Sequence, residues 1–334
     1  MATKSEIIEV GDLEVKITNP DKTFFPALGL SKLDLVNYYL SVGSGVLNGV
    51  RDRPTTLYRW PNGVDAPDDA FYQKRVPQHR PEWIKTQTVR FPSGRSAEML
   101  VGADLAHLIW AVNLGCIDFN PWPVRRDDVD HPDELRVDLD PTPGVPYGDV
   151  VDTAKVVRTV LEDHELAGWI KTSGKRGMHI YIRIEPRWSF TEVRRAALAL
   201  AREVERRSDG IATTAWWKEQ RHGVFVDYNQ NARDRTIASV YCVRPFAQAQ
   251  VSCPIDWDEL DGVDPESFTI SSVPQRLAER DPWGDMDRRI ETLDSLIDLA
   301  HRDEAGGLGD APWPPHFPKA EGEPARVQPS RRKS

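Results

Sequence analysis

The chain contains 334 residues, of which 40% are hydrophobic and 28% are charged, and its formal net charge is −9. This composition is typical of a soluble globular protein, and no stretch approaches the ~18 apolar residues of a membrane-spanning helix, so no membrane partner is expected. The three cysteines lack metal-type spacing and suit a reducing cytoplasm. The net charge argues against a nucleic-acid partner, but residues 74–95, which begin with Lys74, hold six Lys or Arg and a single Glu. A local basic surface of this kind can still bind a polyanion.

The first part of the chain predicts a mixed N-terminal module over residues 1–133. The predicted elements, in order, are short strands within 1–20, a loop at 19–26, a helix from the N-cap Ser31 to about residue 49, strands at 55–60, 70–76 and 86–91, a buried helix at 102–115 and a strand ending at Pro121. A charged connector at 125–134 then marks a boundary.

The second part alternates strands and helices, which favours an α/β or α+β core over residues 134–302 with a central mixed sheet. After the strand that ends near residue 141, we expect a helix at 148–166, strands at 169–173 and 178–184, a helix at 190–208, strands at 224–228 and 236–244, and a helix at 284–301. Residues 303–334 are rich in Gly and Pro and predict a docked or disordered tail.

The motif VDLDP at 137–141 places two carboxylates on one face of a strand. Side chains alternate along a strand, so Asp138 and Asp140 lie together, roughly 6.6 Å apart along the chain. Pro141 cannot continue a sheet ladder, so the pair is expected at an exposed strand end. Two adjacent anions are stabilised by a divalent metal ion, although a solvated acidic turn is an alternative.

The motif KTSGKRGMH at 171–179 predicts a Gly-rich basic loop between two strands. Such a loop exposes backbone N–H groups at Gly174, Ser173 offers a hydroxyl donor, and Lys175 and Arg176 add charge that suits phosphate. His179 begins the next strand and can face the same site. An ordinary basic hairpin with a structural histidine is the alternative.

The motif VFVDYNQN at 224–231 puts Asp227 at the end of an apolar strand, as either a turn residue or a third metal ligand. Gln230 follows on the exit loop, and Arg244 lies on the next predicted strand. Three carboxylates at strand ends can bind two oxygen-ligated divalent ions, and the basic loop can bind a triphosphate. The combination favours phosphoryl or nucleotidyl transfer by two-metal chemistry.

In order and spacing, these motifs resemble the archaeo-eukaryotic primase superfamily, and most closely the polymerase domain of bacterial ATP-dependent DNA ligase D. The resemblance covers about residues 10–300 and includes NPDKTFFP, SKLDLVNYY, YRWPNGVD, FYQK, NPWPVR, RTIASVYCVRPF and WDEL. It implies an α+β primase-polymerase fold, with a central mixed or antiparallel RRM-like catalytic sheet flanked by helices and an N-terminal α/β module. It also implies a template-dependent, nucleoid-associated polymerase that uses Mn²⁺ or Mg²⁺ and nucleoside triphosphates on gapped or primer–template DNA.

The resemblance assigns roles to the matched positions, and Asp138, Asp140 and Asp227 become the metal ligands. The other implied sets are the nucleotide-binding residues Arg59, Ser173, Gly174, Lys175, Arg176, His179, Gln230 and Arg244, and the DNA-binding residues Lys22, Lys32, Phe71, Tyr72 and Lys74. Lys22 and Lys32 match lysines that bind a 5′-phosphate across a gap, and Phe71 and Tyr72 match rings that pack on the template. Without the family, the lysines are surface residues and the rings are core.

Two positions depart from the family pattern. Tyr58 stands where relatives often carry a base, and Asn120 replaces a histidine. Because no ligase motif follows the polymerase motifs, we expect a stand-alone enzyme that works with a separate DNA ligase or end-binding repair protein. Two other hypotheses are a DxD glycosyltransferase, which leaves Asp227 and the basic loop unused, and a non-catalytic DNA-end-binding module, which has no need of three clustered carboxylates.

Overall fold

The computed structural model describes residues 4–319, and the remainder of the predicted tail, from residue 320 onward, lies outside the described residues. The helices are α1 (Lys32–Ser41), α2 (Gly43–Val50), α3 (Leu105–Asn113), α4 (Tyr147–Asp163), α5 (Phe190–Arg207), α6 (Val273–Glu279) and α7 (Asp294–Ala305). The strands are β1 (Ser5–Val10), β2 (Leu13–Thr18), β3 (Thr23–Phe25), β4 (Leu30–Ser31), β5 (Pro54–Arg59), β6 (Phe71–Gln73), β7 (Thr86–Arg90), β8 (Ser96–Val101), β9 (Cys116–Pro121), β10 (Glu134–Pro141), β11 (Trp169–Thr172), β12 (Met178–Arg183), β13 (Ala212–Thr213) and β14 (Val224–Val226). Within residues 4–319, no helix is both long and apolar enough to cross a lipid bilayer.

The N-terminal part contains a hairpin of β1 and β2 and a five-stranded sheet in which β5 pairs with β6, β8 and β9. The predicted N-cap is confirmed, because the Ser31 hydroxyl accepts the Asp34 N–H while the Asp34 carboxylate accepts the Ser31 N–H. This reciprocal capping fixes where α1 begins. The predicted single helix is two helices, because the chain leaves helical geometry at Val42.

The second sheet has the order β11–β12–β10–β14–β13, antiparallel except for the parallel pair β13 and β14. Its apolar residues pack with those of α4 and α5, so these helices cover the sheet, while Asp140 near the end of β10 stays exposed. The α+β class and the mixed sheet flanked by helices are therefore as the sequence predicts. The helix α5 begins with the same capping arrangement as α1, formed by Ser189 and Glu192.

A buried ionic cluster joins the two sheets. The guanidinium of Arg53, which precedes β5, contacts Asp133 at 2.6 Å and Glu134 at 2.8 Å. Arg183 on β12 contacts Glu134 at 2.5 Å, and Arg136 contacts it at 2.6 Å. Because each buried charge has a partner, the cluster links β5, β10 and β12 without leaving an isolated ion.

One predicted element is wrong. Residues 236–244, all inside the described part of the chain, form no strand, and Tyr241 has a φ of +58° that interrupts any ladder. The segment instead packs on α2, where Cβ atoms at Gly45 and Gly49 would lie 2.4 Å from the Tyr241 ring and 2.3 Å from the Ser239 hydroxyl. The glycines therefore allow an irregular segment to approach the helix closely.

The late helix begins ten residues after the predicted start, and α6 and β8 lie in stretches for which no element was predicted. Buried apolar residues within 237–253 and 270–286 join the N-terminal core, whereas Ile255 and Leu260 between them join the core of the second sheet. The division at residue 133 into modules stays a prediction.

Candidate active site

Strand β10 carries the first two candidate carboxylates at its C-terminal end. It lies between β12 and β14, where Asp138 is opposite His179 and Asp140 is opposite Phe225. The side chain of Asp138 is 16% exposed, whereas Asp140 is exposed. The strand ends at Pro141, as expected, so both carboxylates reach the open end of the sheet.

Strand β14 runs antiparallel to β10, and its register places Asp227 across from Asp138. The backbone N–H of Asp227 donates to the Asp138 carbonyl at 2.9 Å, which holds the two residues side by side. The Asp227 carboxylate accepts the Asn229 N–H at 2.9 Å and thereby caps a short 3₁₀ helix, Tyr228–Asn231. From that helix, the Gln230 amide donates to Asp138 Oδ2 at 3.0 Å. The structure thus brings Asp227, the expected third ligand, next to Asp138, and it places Gln230 against Asp138 as well.

The electrostatics of these groups favour a bound cation. Burial, followed by the negative charges of Asp227 and Asp140, raises the pKa of Asp138 to about 8. Burial also raises the pKa of Asp227 to about 6, with a smaller contribution from Asp140. Carboxylates that repel one another in this way bind a hard divalent ion readily, since the ion replaces the proton.

Among residues 4–319, no three His, Cys, Asp or Glu side chains converge closely enough to form a preassembled metal site. The candidate carboxylates instead contact protein donors. Asp138 contacts Gln230 and His179, and Asp227 contacts the N–H of Asn229. The three aspartates supply the oxygen ligands that Mg²⁺ and Mn²⁺ prefer, so the donor set fits such an ion.

The loop between β11 and β12 adopts a compact turn that suits a phosphate. The Ser173 hydroxyl oxygen accepts the N–H groups of Lys175 at 3.2 Å and Gly177 at 3.1 Å, which leaves its own hydrogen for another acceptor. Gly174 has a φ of +70°, and a Cβ there would lie 2.5 Å from Cγ of Arg244. A glycine is therefore required where the loop meets Arg244.

An open cleft of about 510 Å³ brings eight of the sixteen predicted site residues together. The predicted residues that line it are Asp138, Asp140, Ser173, Lys175, Arg176, His179, Arg244 and Tyr72. Lys175 and Arg176 are both exposed, but Arg176 donates to the Val145 carbonyl at 2.6 Å, so Lys175 is the freer of the two basic groups. The cleft thus combines two acidic side chains with the basic side chains of Lys175, Arg176 and Arg244.

Two buried charged residues behind the cleft were not predicted. Lys171 lies 2.7 Å from Nδ1 of His179 and donates to the Ala238 carbonyl at 2.9 Å, while burial and then Arg244 lower its pKa to about 7. Asp118 is 3.0 Å from Arg244 and orients that guanidinium. The sequence does contain a signal for both, since Lys171 in WIKT and Asp118 in CIDFNP are charged residues inside largely apolar strands. Such residues are seldom buried without a partner.

Arg59 does not line the cleft. Its guanidinium donates to the Leu114 carbonyl at 2.8 Å and to Gln73 at 2.7 Å. The charges of Lys22 and Arg59, after burial, lower the pKa of Lys32 to about 8, so the three cations form one N-terminal group. This placement argues against direct contact between Arg59 and a nucleotide in the cleft.

The two lysines predicted to bind a 5′-phosphate differ in exposure. Lys32 is buried, and its ammonium donates to the carbonyls of Thr18 at 2.6 Å and Asn113 at 3.0 Å. Lys22 is half-buried and donates to Asn62 at 2.5 Å in a hydrogen bond at the surface. Lys32 is therefore committed to protein acceptors, while the ammonium of Lys22 lies closer to solvent.

The aromatic pair at 71–72 is on the surface, not in the core. Phe71 and Tyr72 are 43% and 58% exposed, and Tyr72 stacks on Tyr58 with ring centroids 4.1 Å apart and an interplanar angle of 5°. Tyr58, one of the two departures from the family pattern, thus extends the aromatic surface. Lys74 lies nearby, paired with Asp234 at 2.6 Å.

The mixed sheet with strand-end carboxylates beside a Gly-rich basic loop defines the class of primase-polymerase domains. A family model described as the LigD primase-polymerase domain matches residues 31–283. The chain therefore belongs to the family of LigD primase-polymerase domains, which confirms the resemblance seen in the sequence.

Individual relatives agree with this assignment. The multifunctional non-homologous end joining DNA repair protein LigD of Mycobacterium tuberculosis is 31% identical over 305 residues, covering 86% of this chain and 38% of the relative. The LigD protein of Pseudomonas aeruginosa is 30% identical over 283 residues, covering 81% of this chain and 32% of the relative. This chain thus spans about a third of the length of these relatives.

A solved structure matches the fold. It is the polymerase domain from Mycobacterium tuberculosis ligase D in complex with DNA, with a TM-score of 0.76 and 30% sequence identity. The match covers 83% of this chain and 99% of the solved chain, so nearly the whole of that domain has a counterpart here.

Proposed function

We propose that this chain is a template-dependent nucleotidyltransferase that adds ribo- or deoxyribonucleotides to a primer 3′-hydroxyl, filling short gaps during DNA repair or end joining. The observation that carries the proposal is that Asp138 and Asp140 line one cleft with the loop 173–177, while Asp227 lies next to Asp138 on the neighbouring strand. Binding a triphosphate and ionising a hydroxyl group require acidic and basic groups in one cleft, and the lining provides both.

The carboxylates would hold two Mn²⁺ or Mg²⁺ ions, which when bound stabilise charge on the attacking and leaving oxygens. The chain itself positions the triphosphate. The Ser173 hydroxyl, the backbone of Gly174 and the side chains of Lys175 and Arg176 offer donors to its oxygens, and His179 adds a ring nitrogen between the loop and Asp138. Arg244, oriented by Asp118, adds positive charge beside the loop.

DNA would lie across the N-terminal surface. The solved relative was determined with DNA, and the exposed rings of Phe71 and Tyr72 offer a surface on which a base can stack, at ~1–3 kcal/mol per base. Lys74 adds a cation beside these rings. For the 5′-phosphate across a gap, Lys22 is the better candidate for direct contact, with Lys32 contributing charge from below.

The curated relatives are named as end-joining repair proteins, which supports a role in double-strand break repair. Filling a gap leaves a nick, so the product of the proposed reaction is a substrate for a DNA ligase. A DxD glycosyltransferase is not favoured by the family match, and a purely non-catalytic end-binding module does not account for the acidic cleft.

The test is extension of a primer on a gapped duplex, with ribo- or deoxyribonucleotides, in Mn²⁺, Mg²⁺ or EDTA. We expect metal-dependent incorporation that falls by about 10²–10³-fold or more in Asp138→Ala or Asp140→Ala, while DNA affinity is retained. The exposed residue Asp12 provides the control, Asp12→Ala. Full incorporation by either active-site variant would refute the assignment of the carboxylates.

Comparing gaps with and without a downstream 5′-phosphate tests the N-terminal cations. We expect Lys22→Ala to reduce the preference for the phosphorylated gap without lowering incorporation at an open primer end. Equal affinity of the unmodified protein for both gaps would remove this role from Lys22 and Lys32.

A further inference from the structure

The 3₁₀ helix Tyr228–Asn231 makes two contacts that organise the acidic cleft. Its N-cap is Asp227, and its Gln230 side chain donates to Asp138 Oδ2 at 3.0 Å. The positions of two of the three candidate metal ligands therefore depend on how firmly this single turn is held. A turn this short has little stability of its own, so its support must come from its neighbours.

Asn229 is the anchor of this turn, and its side chain is buried, with 1% of the residue exposed. The amide oxygen accepts from Nε of Arg194 at 2.7 Å, and the amide nitrogen donates to the Pro312 carbonyl at 3.0 Å. Both ends of the amide are thus engaged, which fixes its orientation. One partner lies on α5, and the other lies in the segment that follows α7.

Arg194 is also buried, with 1% of the residue exposed, and its other N–H groups donate to the segment that follows α7. It donates to Asp310 Oδ1 at 2.8 Å and to the Ala311 carbonyl at 2.7 Å. Its guanidinium lies 3.9 Å from the Trp313 ring centroid and 5.2 Å from that of Tyr228. The cation is therefore enclosed between the active-site turn and the C-terminal segment.

The segment is held in shape by its own contacts. Trp313 Nε1 donates to Asp310 Oδ2 at 2.7 Å, and Arg202 on α5 donates to the Gly309 carbonyl at 2.6 Å. These contacts place an acidic side chain and two backbone carbonyls opposite the buried Arg194. The segment lies beyond residues 31–283, which the family model matches.

We infer that residues 309–313 form a C-terminal strap that positions Asp227 and Gln230 through Asn229 and Arg194. Removing the strap would leave a buried guanidinium without its counter-charge and the Asn229 amide without an acceptor, both of which are unfavourable. The turn would then rearrange to bring these groups to water, and Asp227 and Gln230 would move with it. Asn229, Arg194 and the strap are therefore positioning residues. The inference rests on the proposed function only in treating Asp227 as a metal ligand.

The test compares hydrogen exchange in two truncated chains, one ending at residue 308 and one ending at residue 319. The second retains the strap and removes only the residues outside the described part of the chain. We expect the amides of residues 228–232 to exchange at least ~10-fold faster in the shorter chain than in the longer one. The reason is that the turn next to Asp227 loses the hydrogen-bond partners that residues 309–313 provide. Amides of β12 should exchange equally in both.

If the shorter chain loses its fold throughout, Asp310→Asn in the full chain decides the question, since it removes the counter-charge of Arg194 and keeps the side-chain shape. It should accelerate exchange at residues 228–232 and raise the Mn²⁺ concentration needed for half-maximal incorporation. The inference is overturned if a folded variant and its reference exchange the amides of residues 228–232 at rates within about twofold of each other. The reference is the chain ending at residue 319 for the shorter chain, and the unmodified full chain for Asp310→Asn. Failure of the unmodified chain to incorporate nucleotides would refute the proposed function and leave the exchange result standing.

Discussion

Replacing Asp138 by Asn should make the metal-free protein more stable while removing the proposed nucleotidyltransferase activity. The carboxyl group of Asp138 is 16% exposed, and burial and the charges of Asp227 and Asp140 raise its pKa to about 8. The unfolded chain has no such constraint, so its carboxyl group ionises near pH 4. Between these values the folded state binds a proton that the unfolded state does not, and the free energy of unfolding must fall as the pH rises.

The shift from 3.8 to about 8 sets an upper bound of about 6 kcal/mol, at about 1.4 kcal/mol per pKa unit. Partial exposure and local relaxation reduce this bound, and we expect Asp138→Asn to raise the free energy of unfolding by about 2–4 kcal/mol near pH 8. The amide keeps the size of the side chain and removes only the charge.

The measurement is chemical denaturation in EDTA from pH 5 to pH 8, with Asp12→Asn as an exposed control. The advantage of Asp138→Asn should be small near pH 5 and grow toward pH 8, whereas the control should follow the unmodified protein. Adding Mn²⁺ should stabilise the unmodified protein and have a weaker effect on the variant. A pH-independent difference, or a variant that is less stable at pH 8, would show that the carboxylates do not repel one another as described.

Three other changes have definite expected outcomes. Lys171→Met removes the donor to His179 Nδ1 and should raise KM for the triphosphate roughly 10-fold with little change in DNA affinity, as measured by steady-state kinetics. Tyr72→Ala should weaken binding of primer–template DNA by ~1–3 kcal/mol in a titration, and Tyr72→Phe should restore it. In acid, the arginines around Glu134 lower its pKa to about 2, so the free energy of unfolding should fall as the pH drops from about 4.5 toward 2; unfolding that is insensitive to pH in this window would contradict the pairing with Arg53.

Much of the acidic cleft could be predicted because it depends on local rules. Alternation along a strand puts Asp138 and Asp140 on one face, and Pro141 ends the strand next to them. A Gly-rich loop between two strands has few conformations, so Ser173 and His179 meet in the same cleft. Each of these inferences needed only a few neighbouring residues.

The remainder depends on contacts between distant parts of the chain. The apolar run 236–244 has the pattern of a strand, but its path is set by Gly45 and Gly49 on α2, about 190 residues earlier. The ammonium of Lys32 looks like a free surface cation until Thr18 and Asn113 are seen to accept its hydrogen bonds. Likewise, a tail rich in Gly and Pro gives no sign that Arg194 will dock it.

The return of residues 237–253 and 270–286 to the N-terminal core makes the two halves of the chain mutually dependent. Tyr38 on α1 donates to the Tyr241 carbonyl at 2.8 Å, and the Tyr241 ring lies against Gly45. A protease that cuts the charged connector at 125–134 would therefore produce a nicked molecule whose fragments stay associated. If the two parts on either side of this connector were expressed separately, each would expose a large apolar surface. Mixing the two parts should then recover a folded molecule.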